Sequence, residues 1–247
     1  MVKVNDVYQT VLALANKEQR GYITPQEFNL LANQAQMSIF EQYFYDLNQF
    51  KRTPNIKQPE ADITTIINDK LSFFSKDATL SSQTPSQLFQ TFIIPNDFYR
   101  FQNALTSNNY DGVKIERLEK SELQAAYTSR LTRGTNKRPI MYIQQENNSI
   151  LVQSDNNYWD GPNAQPIQKI LLQYYRKPTP ANWTYVVVNN SAVYNENADH
   201  RDFELHVSEQ TELVNKILQL AGITLKDNSL YQVASAEESK SVQQQKA

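Results

Sequence analysis

The chain has 247 residues, 24 Lys and Arg against 26 Asp and Glu, a net charge of −2 and no cysteine. That length allows one large or two small domains whose cores need no metal or disulfide to hold them. The lack of cysteine excludes a disulfide framework, thiolate metal sites and cysteine nucleophiles, and the near-balanced charge argues against a globally basic nucleic-acid binder. Only 5 glycines accompany 14 tyrosines. Phosphate-cradling loops need glycine for close backbone approach, whereas tyrosine and the abundant Asn and Gln suit surfaces that pack against protein. Met1 to Asp6 show no basic region followed by an apolar stretch, so no signal peptide is expected. No run approaches the ~20 apolar residues of a membrane span.

In chain order, residues 4–15 read as a short helix capped at Asn5 or Asp6, with Val7, Val11, Leu12 and Leu14 apolar. Asn16 to Phe28, NKEQRGYITPQEF, can be laid on a calcium-loop pattern with Gly21 and Glu27 at its key positions. Arg20, however, would put a fixed positive charge at a ligand position. Thr24, Pro25 and Glu27 instead make an N-cap, a first-turn proline and a capping-box glutamate, with Ile23 and Phe28 as a hydrophobic staple. A long helix is expected from Thr24 to about Phe50, roughly 40 Å at 1.5 Å per residue. Its aromatic run FEQYFYDLNQF is too rich for an exposed face and is expected to be buried, within the chain or between subunits.

Ile63 to Phe74 fits helix and strand about equally. Ser75 to Gln87 reads as a polar connector and domain boundary. Strands are then expected from Leu88 to Pro95 and from Val113 to Leu118, with a turn or short helix over Asn96 to Asn103 and a helix over Ser121 to Thr128. A hairpin should turn at Asn147-Asn148, and strands should cover KILLQYYRKP and Trp183 to Val188. From Ser208 the period returns to 3.6, with Leu213, Val214, Ile217, Leu218 and Ala221 as the stripe and Gly222 as the stop. Asp227 to Ser239 could form one weak helix before a polar end. The fold class is α+β: N-terminal helices and a C-terminal helix with an extended tail, flanking a β-rich middle. The regions are 1–80, 88–205 and 206–247.

Catalytic signatures are missing. His200 and His206 are six apart, which suits neither a helical nor a strand pair of metal ligands. Asp199, Asp202 and Glu204 are the nearest thing to a carboxylate set, without a nucleophile or base at recognisable spacing. No enzyme, metal or cofactor is expected. The notable charge cluster is Arg130, Arg133, Lys137 and Arg138 around Gly134, a flexible basic loop that could meet phosphates. No aromatic interleaves it for base stacking.

Three stretches, ALANKEQRGYITPQEFNLLANQAQMSIFEQYFYDLNQF, ILLQYYRKPTPANWTYVVV and FELHVSEQTELVNKILQLAGI, resemble a structural protein of tailed bacteriophages, including crAss-like phages. The resemblance implies a neck ring, or head-to-tail connector, assembled in the host cytoplasm and carried in the virion. It further implies a ring of about twelve copies around passing double-stranded DNA, between the portal and the next neck or tail ring protein, with no membrane. On this reading Asp227 to Ala247 form a terminal arm with Leu230, Tyr231 and Val233 as anchors, and Arg130, Arg133, Lys137 and Arg138 face the DNA channel. The alternative is a nucleic-acid-binding module that uses the basic loop 130–138. If the arm reading is right, deleting residues 227–247 abolishes docking to the portal from the same genome, measured by co-sedimentation; unchanged docking refutes it.

Overall fold

The computed structural model describes residues 1–17, 23–52, 59–83, 89–107, 112–129, 131–154, 167–189, 191–197 and 199–224. The fold is α+β, with helices toward both ends of a β-rich middle. Two compact units are present: unit 1 combines Met1–Phe73 with Pro178–Ala247, and unit 2 is the continuous segment Phe74–Lys177. These units cut the chain elsewhere than the three regions read from the sequence, because residues that follow Pro178 pack with the helices.

Unit 1 contains α1 (Val4–Lys17), α2 (Pro25–Arg52), α3 (Pro59–Ser72) and α5 (Gln210–Thr224). Helix α2 starts at the expected capping box. The Thr24 amide and hydroxyl both donate to Glu27 Oε2, at 3.0 and 2.8 Å, and the Glu27 amide donates to Thr24 Oγ1 at 3.3 Å. These bonds hold the Glu27 carboxyl below its ordinary range. Ile23 and Phe28 are both buried, as a staple requires. From the aromatic run, Phe40, Tyr43 and Phe44 are buried inside unit 1, whereas Tyr45 is 63% exposed. The ambiguous stretch after Pro59 is helical. The C-terminal helix runs past Gly222 to Thr224, so that glycine is no stop. Its start is a 3-10 turn, Val207–Glu209, capped by His206 rather than by Ser208. The arm residues Leu230, Tyr231 and Val233 lie outside the described residues.

A row of amides ties α2 to the chain returning from unit 2. Asn29, Asn33 and Gln36 are spaced to share one helix face. Gln36 Nε2 donates to the Thr179 carbonyl at 2.9 Å. Asn33 accepts from the Ala181 amide at 2.7 Å and donates to its carbonyl at 3.0 Å. Asn29 accepts from the Trp183 amide at 2.9 Å and donates to its carbonyl at 3.1 Å. Residues 179, 181 and 183 alternate along an extended backbone, so the helix side chains stand in for a neighbouring strand. Trp183 anchors the end of the row: it is 1% exposed, 4.0 Å from Tyr8 between ring centres, and donates from Nε1 to Asn5 Oδ1 at 3.1 Å. Beyond it, β8 (Tyr185–Val188) and β9 (Ser191–Tyr194) form a two-stranded hairpin.

Unit 2 holds β1 (Ser75–Ser81), β2 (Phe89–Ile93), β3 (Phe98–Thr106), β4 (Glu116–Arg117), α4 (Lys120–Thr128), β5 (Ile140–Gln144), β6 (Ser149–Gln153) and β7 (Lys169–Arg176). Two expectations fail here. Ser75–Ser81 is a strand and not a connector, because each of its residues pairs with β7. Residues 98–103 belong to β3, again through pairing with β7. In both places cross-strand pairing overrides a polar or ambiguous local pattern. The hairpin of β5 and β6 turns where expected, with Asn148 at φ 47°.

The strands form sheets ordered β1-β7-β3 and β2-β6-β5-β4. Isolated bridges from Ser82 to Phe92 and from Leu105 to Lys114 join both pairs of sheet edges. The sheets thereby close on each other around one core that includes Phe92, Met141, Ile150, Val152, Ile170, Leu172 and Tyr174. Closure removes open strand edges. The Tyr174 hydroxyl donates to Asp97 Oδ1 at 2.7 Å, and Lys76 Nζ lies 2.6 Å from Asp97 Oδ2. Burial opposes the charge on Asp97, but these two bonds outweigh it and hold the carboxyl low.

Removing an amide from the α2 row strands the backbone groups that it serves. Asn33→Ala leaves the Ala181 amide and carbonyl without their partner, and should cost about 2–3 kcal/mol in urea unfolding. An unchanged midpoint and slope would show that the row is not structural.

Candidate functional site

A charged concavity of unit 2 is built from two segments. The first, Lys114 to Arg117, lies between β3 and β5: the Ile115 amide donates to the Ala104 carbonyl at 2.9 Å, and the Glu116 amide to the Pro139 carbonyl at 3.0 Å. The second is the turn Thr135 to Arg138, closed by reciprocal bonds. The Thr135 amide donates to the Arg138 carbonyl at 3.0 Å, and the Arg138 amide returns to the Thr135 carbonyl at 3.1 Å. Asn136 is buried in this turn while Lys137 projects to solvent. The parallel pairing of β4 with β5 sets the segments side by side.

Together they line an open groove of about 480 Å³, whose walls carry Lys114, Arg117, Lys137 and Arg138. All four are exposed. One carboxylate sits among them. Arg138 donates from Nε and Nη2 to the same Glu116 oxygen, at 3.3 and 3.0 Å, with 61% and 49% of the two side chains exposed. The guanidinium of Arg117 stands 5.6 Å from the centre of the Phe101 ring at the groove wall.

The sequence cluster is therefore split. Lys137 and Arg138 line the groove. Arg133 does not: its guanidinium covers the Tyr127 ring at 5.4 Å, and Tyr127 packs on Phe89 at 5.7 Å. Arg130 lies outside the described residues. Nor does Gly134 make the loop slack. It is buried, and a Cβ there would sit 2.5 Å from the Gln153 carbonyl oxygen and 2.8 Å from Ile140, so the loop is pressed onto β5 and β6. Sequence reasoning missed Lys114 and Arg117, which stand about twenty residues upstream. Only the pairing of β4 with β5 could have revealed them.

The acids near the histidines hold structure. Glu204 accepts from the Thr179 amide and hydroxyl at 2.8 and 3.1 Å. Asp202 accepts from the Val4 amide at 2.9 Å, at the start of α1 where a negative charge is favourable. His200 lies 3.4 Å from Asp202 and from the Tyr194 hydroxyl. His206 caps the 3-10 turn. Among the described residues no three His, Asp or Glu side chains are grouped to hold a metal ion, and no helix is long and apolar enough to cross a membrane.

A second charged cluster is buried in unit 1, where α2, α3 and α5 meet. Lys70 Nζ is 2.5 Å from Glu209 Oε1 and 5.5 Å from the Tyr43 ring centre. Lys216 Nζ is 3.2 Å from both Ser38 Oγ and Gln42 Oε1. Burial and the neighbouring Glu209 push the Glu212 carboxyl up to about 7, against the pull of Lys216 and Lys70. No known protein-family model matches the chain, and no curated protein is significantly similar to it.

The Glu212 shift has a definite sign. Folded protein holds a proton that unfolded chain has lost above its ordinary value of 4.5. The stabilisation is thus complete below that value and is lost as pH rises through about 7. Urea midpoints should fall between pH 5 and pH 8, and Glu212→Gln should remove most of that fall. A fall equally steep in the variant would place the proton elsewhere.

Proposed function

We propose that this chain is a structural assembly protein, working as a neck ring between portal and tail of a tailed-phage virion. The observation that carries the assembly reading is the hairpin of β8 and β9. Its register pairs Val186 with Val193 and Val188 with Ser191, placing three valines on one face. All three are open to solvent, at 44%, 47% and 49% exposure for Val186, Val193 and Val188, and Val187 on the other face reaches 67%. A two-stranded ribbon is marginal in water by itself, and contiguous exposed apolar surface marks a protein-binding face. The root of this hairpin is secured, with Tyr185 stacked on Trp183 at 5.7 Å.

The particular assembly rests on the resemblance of residues 13–50, 170–188 and 203–223 to neck proteins. On that reading the partners are further copies of this chain, about twelve in all, the portal and the next ring. Burial of the valine face on ring closure supplies the driving force. No step in it calls for a catalytic group or a cofactor.

Electron microscopy of the protein mixed with the portal from the same genome tests the proposal. A coaxial ring beneath the portal is the expected result. Val186→Asp combined with Val193→Lys places opposite charges across this cross-strand pair, and should abolish that ring while leaving the far-ultraviolet dichroism and the urea midpoint unchanged, since both side chains face solvent. A bare portal with wild-type protein overturns the neck reading.

A further inference from the structure

We propose that the groove of unit 2 holds the phosphate backbone of duplex DNA through Lys114, Arg117, Lys137 and Arg138, with Glu116 as a built-in competitor that keeps the hold weak. Four cations from two distant segments converge on one concavity. Both segments are fixed by backbone hydrogen bonds, so the backbone from which the four cations project is set before a ligand arrives and only their side chains need ordering on binding. Convergence against the trend of a chain with net charge −2 makes the patch local: the rest of the surface offers a polyanion no general attraction.

The chemistry of the wall selects among anions. Two of the cations are guanidinium groups, whose planar forks match phosphate oxygens. Strong binding to single strands relies on aromatic faces that stack with bases. Among the described residues Phe101 is the one aromatic of the lining, and the Arg117 guanidinium already lies over it. Backbone contact without base stacking fits a duplex better than a single strand. Nothing in the lining has the apolar breadth to enter a bilayer, because its aliphatic member Ile115 is buried.

Glu116 gives the groove its character. It engages Nε and Nη2 of Arg138 on one oxygen, so a phosphate approaching that edge of the guanidinium competes with a carboxylate. The pair is half exposed and therefore easily exchanged. A groove of four cations without this acid would grip DNA; with it, contact is brief and renewable. This inference does not depend on the neck-ring reading, since the groove lies within unit 2 and the apolar hairpin within unit 1.

The test is fluorescence anisotropy of the full chain with a labelled 30-base-pair duplex at 50 and 200 mM salt. Four phosphate contacts predict that affinity falls on the order of 100-fold between the two salts. Arg117→Ala with Lys137→Ala should weaken binding at least tenfold at 50 mM and lower the salt slope by about two. Glu116→Gln should tighten it several-fold, a gain that no unfolding artefact can imitate. A single strand of equal length and vesicles with 30% phosphatidylglycerol complete the comparison. Absence of duplex binding at 50 mM, or identical affinity in both variants, overturns the proposal. Tighter binding to the vesicles than to the duplex also overturns it and assigns the groove to lipid headgroups. Neither result touches the ring, which the hairpin variants test separately.

Discussion

Much of unit 1 depends on one set of hydrogen bonds, the amides of α2 that receive the returning chain. Asn29, Asn33 and Gln36 satisfy alternate backbone groups of residues 179–183. Asn182 pairs with Arg201 on the other side of this segment, but the groups of residues 179, 181 and 183 that face α2 would otherwise lose these partners. Once that segment is pinned, Trp183 reaches its site against Tyr8, Glu204 reaches Thr179, and Asp202 reaches the first turn of α1. Three long-range contacts of different chemistry thus follow from a single docking.

Unit 2 depends on a comparable closure of a different kind. Strand β7 is flanked on both sides, by β1 and β3, and its inward residues Ile170, Leu172 and Tyr174 fill the core. The pairing of Ser75 with Tyr175 also holds the two ends of this unit side by side, as an inserted domain requires. The same closure carries Lys114 alongside Leu105 and sets β4 against β5. The basic groove is a by-product of completing the barrel, and the backbone positions that carry its charges are set by the strands.

The two units handle their polar and apolar exceptions in opposite ways. Unit 1 buries charge, with Glu209 and Lys216 both inside, and offsets it with Lys70, Ser38 and Gln42. It also leaves valines in water on its hairpin. An interior charge network that is paired, together with an exterior apolar face that is not, fits a protein whose stability is internal and whose association is external. Unit 2 has an apolar core, leaves Ile93 and Leu131 exposed, and turns the four cations of its groove outward around a single acid.

Local sequence determined the features that need only neighbours along the chain. The Thr24–Glu27 cap, the period of α1, α2 and α5, the Asn148 turn and the α+β class could be read because each is fixed by spacing of a few residues. Tertiary structure decided what depends on partners far away. Ser75–Ser81 is polar and became a strand only because β7 offered a complete row of hydrogen bonds. Gly222 stayed helical because burial of the helix at Ala221 and Gly222 outweighed the freedom of one glycine. The basic loop lost Arg133 to the packing of Tyr127 and acquired Lys114 and Arg117 from across a sheet. Charge along the chain is countable from residues, but a patch is a property of a surface, and the surface exists only after the barrel has closed.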